Sequence, residues 1–324
     1  MKDKENKLEW HDYFIEALYA RYPKRPQLVE ALMQLLVIER EAVYRRLRKD
    51  VMFSINEIEK ISSAWGISLD EMTGSHSGKI TFQMQPLDYL NPSAEEIKFL
   101  QHIIQSISEQ KDYPDTEFMD ICNKVPRQLH SGYKYLNLFY LFKWMYNYGN
   151  EIKTVPFSNI VLSEAKNKIT NDYYKAIKNV PNSSFIFDRL LCEHLVAEIQ
   201  YFNSIQLITD EEKEFIRQDM YDLLNYMAEI AVNGCYPETQ NKVNFYISQL
   251  IVDTNYSYVS TSQAKICFIH VFDKYEIYTY NSEMLENFKT LMQLKKRASV
   301  QISGVDEQRM HEFFSNQRRM VAAM

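Results

Sequence analysis

Gly74 to Gly78 reads GSHSG, and it is the one place where two of the seven glycines of a 324-residue chain fall within five residues. Clustered small residues after a finished helical pattern mark a hinge, so the chain is expected to divide there. The expected organisation is a small head over residues 1–74, a linker at 75–78 and a larger body over 79–324. With 7 Gly, 9 Pro and 46% hydrophobic residues, turn-dense all-β and collagenous architectures are disfavoured and long helices with buried cores are favoured.

The head reads as five short helices. LEWHDYFIEALYARY places Leu8, Phe14, Ile15, Leu18 and Tyr22 on one side of a first helix, and Pro23 and Pro26 separate it from a second near Gln27 to Leu36. A third follows in EREAVYRRLRKD, Glu39 to Asp50, which carries five basic side chains although the whole chain has a formal net charge of -6. On a helical wheel Val43 and Leu47 face inward, and Glu41, Tyr44, Arg45, Arg48 and Lys49 face out. The fourth helix opens at Ser54, with Glu57 as capping-box partner, and GISLDEM repeats the device at Ser68 and Glu71. Between Arg21 and Lys49 there are eight basic and three acidic residues, a local +5, while residues 1–78 sum to only -1. The positive field is therefore directional. A short basic helix with its other side anchored suits the DNA major groove, and a solvated or protein-docking face is the alternative.

The stretch LVEALMQLLVIEREAVYRRLRKDVMFSINEIEKISSAWGISLDEMTG resembles the lambda-repressor-like, Cro/repressor-type helix-turn-helix domain, over about residues 8–74. The resemblance implies that Glu39 to Lys49 is the recognition helix, with Arg40, Glu41, Tyr44 and Arg45 near base edges and Arg48 and Lys49 nearer the phosphates. Two positions depart from the family pattern: Met33 stands where a small residue is common, and Val37 where the turn often has Gly.

The body is expected to be mostly helical, with a small antiparallel β element at about residues 243–281. SAEE at Ser93 and TDEE at Thr209 are capping boxes, and the segments 157–179 and 184–203 read as amphipathic helices. The strand-like texture begins only after Pro237, in VNFYISQLIV, YSYVSTS, KICFIHVF and YEIYTY. The aromatic stretch Gly132 to Gly149 is interrupted by Lys134 and Lys143, which makes it a core helix rather than a membrane span. No apolar leader precedes the head, so a cytoplasmic protein is expected.

No catalytic motif, cofactor loop or metal-ligand spacing is found. The nearest local pair is His194 and Glu198, one turn apart, and such a pair is more often a plain helix-surface contact. Cys122, Cys192, Cys235 and Cys267 lie far apart and read as unpaired thiols. LKKR at Leu294 to Arg297 and QRR at Gln317 to Arg319 read more readily as helix C-terminal charges than as phosphate contacts. Together these features point to a non-enzymatic, sequence-specific DNA-binding transcriptional regulator. Its expected partners are double-stranded DNA and a second copy of the chain, with a small-molecule or protein effector left open. The alternative is an interaction protein that uses the head as a docking module, and an enzyme would require titratable groups converging in the body.

Overall fold

The structure, a computed structural model, describes residues 10–22, 24–67, 80–84, 92–148, 155–261, 264–271 and 275–324. The chain forms two compact units, residues 1–81 and 82–324.

Four helices are described in the first unit: α1 (Trp10–Arg21), α2 (Arg25–Leu36), α3 (Arg40–Leu47) and α4 (Ile55–Trp65). The fifth expected helix, at Ser68 to Glu71, lies outside the described residues, as does the GSHSG stretch. One apolar cluster unites the four. Phe14 and Leu18 come from α1, Leu28, Leu32 and Leu36 from α2, Val43 and Leu47 from α3, and Ile58 and Ile61 from α4. Ser54 and Glu57 form the complete capping box that starts α4, each side chain meeting the other's backbone N–H.

The α2–α3 connection is only three residues, 37–39, and it turns on Val37, which sits in the left-handed region at φ 56°. A β-branched residue there places its Cβ against its own carbonyl, at a cost of about 1–2 kcal/mol that glycine escapes. Val37 is 87% exposed, so removing its side chain sacrifices little packing. Val37→Gly is accordingly expected to stabilise this unit by about 0.5–1 kcal/mol, read as slower amide hydrogen exchange across α2 and α3. Faster exchange would show that the isopropyl group contributes more than its backbone strain costs.

The second unit corrects the expected architecture. Instead of a helical body with a small C-terminal β element, it is built on an eight-stranded mixed sheet of order β1-β7-β6-β5-β2-β3-β4-β8. The strands are β1 (Gln83–Met84), β2 (Glu117–Cys122), β3 (Asn182–Phe187), β4 (Lys242–Ser248), β5 (Tyr256–Ser260), β6 (Lys265–Val271), β7 (Tyr275–Thr279) and β8 (Ser299–Gln301). β2, β3 and β4 are parallel neighbours; every other pairing is antiparallel.

Four strands lie outside the expected element at 243–281, and the two central ones, β2 (EFMDIC) and β3 (NSSFIF), are buried over all but their first residue. A central parallel strand covered on both faces shows no polar alternation, which removes the signal by which strands are read. Phe185 to Phe187, expected to begin a helix, therefore belong to β3. The helix that follows starts only at Glu193.

Among the described residues this unit has eight α-helices: α5 (Ala94–Ser108), α6 (Arg127–His130), α7 (Lys134–Tyr148), α8 (Glu164–Ala176), α9 (Glu193–Ser204), α10 (Asp210–Asn233), α11 (Ser282–Arg297) and α12 (Glu307–Ala322). Both crossovers, β2 to β3 and β3 to β4, step in the same direction along the sheet, which puts their helices on one face. The packing agrees. Phe118, Phe185 and Phe245 project from β2, β3 and β4 into one core with Phe139 and Phe142 of α7, Ile199 of α9, Met227 of α10 and Phe313 of α12. Met119, Ile121, Ile186 and Tyr258 point to the other face, covered by Leu285, Phe288 and Met292 of α11. α7 is the aromatic stretch. No described helix is long and apolar enough to cross a membrane.

Candidate functional site

The sequence-derived site residues divide by how they are held. α3 runs from Arg40 to Leu47, shorter than the expected Glu39 to Lys49, so Arg40, Glu41, Tyr44 and Arg45 lie on the helix while Arg48 and Lys49 form its end. Lys49 takes φ 67°, Asp50 N–H donates to the Arg45 carbonyl at 2.8 Å, and Lys49 N–H donates to the Arg46 carbonyl at 3.0 Å. Those two bonds are a Schellman closure, with lysine where glycine is usual. Val43 and Leu47 are buried against α2 and α4 as the wheel requires, and they fix which side of α3 looks outward.

Most cations on this face are partly neutralised within the unit. Arg40 pairs with Glu30 at 3.0 Å, Arg48 with Glu41 at 2.8 Å and Asp50 at 3.1 Å, and Lys49 with Asp12. These pairs are exposed on at least one side and are cheap to exchange for another anion. Tyr44 is half-buried with the Arg25 guanidinium 5.5 Å from its ring centre. Arg45 is exposed, and among the described residues its side chain has no ion-pair or hydrogen-bond partner.

Arg46, its neighbour, has a different role that the charge count conceals. Its guanidinium meets both Glu57 oxygens, Nε to Oε2 at 3.1 Å and an η nitrogen to Oε1 at 2.7 Å, and also donates to the Ala42 carbonyl at 3.0 Å. With side-chain exposures of 17% and 16%, this pair ties α3 to the first turn of α4. Burial alone would raise the Glu57 carboxyl, but hydrogen bonds from Arg46 and Ser54 hold it below its ordinary value. Arg46 therefore positions the helix, while Arg45 stays exposed beside it.

The second unit contains a polar constellation that sequence reasoning missed. Asp120 of β2 lies opposite Ser257 of β5, and His270 of β6 lies opposite Glu276 of β7, all on the face of the sheet away from α11. Ser257 Oγ donates to Asp120 Oδ1 at 2.9 Å and lies 3.0 Å from His270 Nε2; His270 Nδ1 lies 3.3 Å from Glu276 Oε1. Asp120 is 2% exposed, and burial pushes its carboxyl up to about 6 against the opposing pull of His270 and Ser257. A recessed cavity beside this chain is lined by Asp120, His270 and Glu276 from the sheet, by Lys124, Arg127 and Gln128 after β2, and by Lys166 of α8. The one legible hint was a carboxylate inside an apolar run, Asp120 in FMDIC.

The His194 and Glu198 pair does not form a site: Glu198 accepts from Lys143 of α7 at 2.7 Å, and His194 is exposed. Gln317, in the QRR stretch, is fully buried and links the Cys192 N–H to the Arg189 carbonyl. No protein-family model, curated protein or solved structure matches the chain.

Proposed function

We propose that the chain is a sequence-specific DNA-binding transcriptional regulator that acts as a pair of copies through α3 of its first unit. The observation that carries the reading is the division of labour on that helix: Val43, Leu47 and Arg46 are committed to holding it, while Arg45 is exposed and has no partner among the described residues. A preformed rod with an outward guanidinium matches what a major groove selects, since Arg can meet a guanine edge with two parallel hydrogen bonds. Arg40, Arg48 and Lys49 would exchange their own surface carboxylates for phosphates. One such module has a small footprint, and pairing on two half-sites is how affinity is usually raised.

The test is selection of bound fragments from random duplex DNA, followed by titration at several salt concentrations. An enriched motif with a two-fold repeat supports the reading, as does a log–log salt slope of about -0.9 per phosphate contacted. No enrichment, with a flat salt response, removes it.

A second reading has its own support. Val37, Met52 and Ile55 flank α3 and are 87%, 56% and 84% exposed, so the same face would also suit a partner helix. Capture of a protein that competes through Val37 and Ile55, with no motif enriched, would favour this docking role.

A further inference from the structure

The cavity in the second unit has the chemistry of a ligand site. It opens beyond the carboxyl end of β2, the strand at which the parallel part of the sheet gives way to the antiparallel part. Open sheets with crossover helices commonly take ligands beyond the carboxyl ends of their strands. At about 80 Å³ it is several times larger than the ~10–15 Å³ a single water needs and well below the ~300 Å³ of a drug-sized pocket, which restricts it to a ligand of few atoms.

Its polar groups are sorted by origin. Lys124 and Arg127 follow β2, and Lys166, only 5% exposed, comes from α8. The Arg127 guanidinium lies over the Tyr173 ring, 4.7 Å from its centre, a contact that holds the side chain beside the cavity before anything binds. The acceptors come from the sheet as the carboxyl groups of Asp120 and Glu276, with His270 beside them. Gln128 supplies a further acceptor: it is 6% exposed, and among the described residues its buried Oε1 has no hydrogen-bond partner. A buried amide oxygen facing a cavity calls for a donor from whatever fills that cavity.

We infer that this cavity binds a small hydroxylated phosphate ester, its phosphate held by Arg127, Lys166 and Lys124 and its hydroxyls donating to Gln128 and the acidic floor. Three cations lining one cavity suit a phosphate dianion, and Arg127 offers the planar, two-pronged donor that phosphate accepts. The acceptors that line the same cavity select for hydroxyl groups on the same molecule.

Binding is favoured over hydrolysis, even though Ser257, His270 and Glu276 stand in triad order. Ser257 is 3% exposed and does not line the cavity, and its proton is directed to Asp120 instead of the imidazole. His270 Nε2 lies 3.0 Å from a hydroxyl that donates to Asp120, so the serine is not oriented to give its proton to the imidazole.

The experiment titrates the full chain with glycerol 3-phosphate, ribose 5-phosphate, inorganic phosphate, glycerol and malate by calorimetry, and assays each ester for released phosphate. At least one ester is expected to bind saturably, at least about tenfold tighter than inorganic phosphate, glycerol or malate. Arg127→Met and the near-isosteric Gln128→Leu are each expected to weaken that ester by about tenfold or more with the melting transition retained. Should Arg127→Met fail to fold, Gln128→Leu decides. Saturable binding of neither ester overturns the proposal, as does binding unchanged in the folded variants or malate binding tighter than the esters. Inorganic phosphate binding as tightly as the esters would reduce the site to a bare anion hole. Phosphate release that Ser257→Ala abolishes would replace binding by catalysis.

Discussion

Arg45→Ala is expected to lower duplex affinity by roughly tenfold to a hundredfold, the loss of about 1–3 kcal/mol for a base or phosphate contact, while leaving the melting transition where it was. The separation of affinity from stability follows from the exposure of Arg45 and its lack of a partner among the described residues. Arg46→Ala gives the opposite signature. It strips a carboxylate that is 16% exposed of its two-pronged partner and loosens the joint between α3 and α4. The expected cost is about 1–3 kcal/mol of stability, with affinity falling only as far as the unit unfolds. Fluorescence anisotropy with a selected duplex, alongside thermal melting of each variant, separates the two adjacent arginines. Wild-type affinity in Arg45→Ala would end the assignment of α3 as the reading helix.

The second large effect is expected at Asp120. Its carboxyl is raised to about 6 in the folded protein, above the ~3.9 of an unfolded chain, so between those values the folded state holds more protons than the unfolded one. Its contribution is thus most favourable below the unfolded value and is lost as pH rises through the folded one. Asp120→Asn keeps an oxygen acceptor for the Ser257 hydroxyl but has nothing to titrate. The stability of wild type minus that of Asp120→Asn should therefore decline by roughly 2–3 kcal/mol between about pH 4 and pH 7. Denaturant unfolding of both proteins across that range measures it. A difference that stays flat, or that grows with pH, would mean that His270 and Ser257 outweigh burial at this carboxylate.

The two units were unequally legible, for identifiable reasons. In the first, α3 exposes one side and buries the other, so Val43 and Leu47 declared its orientation by spacing alone. The boxes at Ser54, Ser93 and Thr209 were equally plain, because each start is encoded within four residues, and all three are formed. The ends of α3 were less visible. Lysine is not a residue that announces a left-handed closure, and only the backbone places Lys49 there. In the second unit, β2 and β3 carry no alternation because both faces are covered, and this concealed the sheet that organises everything else. The cavity was out of reach for another reason: Asp120 and Ser257 are 137 residues apart, and only strand register brings them together. Arg45 and Arg46 are chemically identical in the sequence. Their roles diverge solely because Glu57 arrives from a different helix.

The edges of the sheet constrain how copies of this chain meet. Its outermost described strands, β1 and β8, contain two and three residues. A strand that short offers too few open backbone groups to template a neighbour, which is one way a sheet discourages end-to-end growth. If two copies bind one operator, their contact is expected to be made by side-chain surfaces. Such a joint can be weakened one residue at a time, so the pairing would be tunable by point substitution without touching either core.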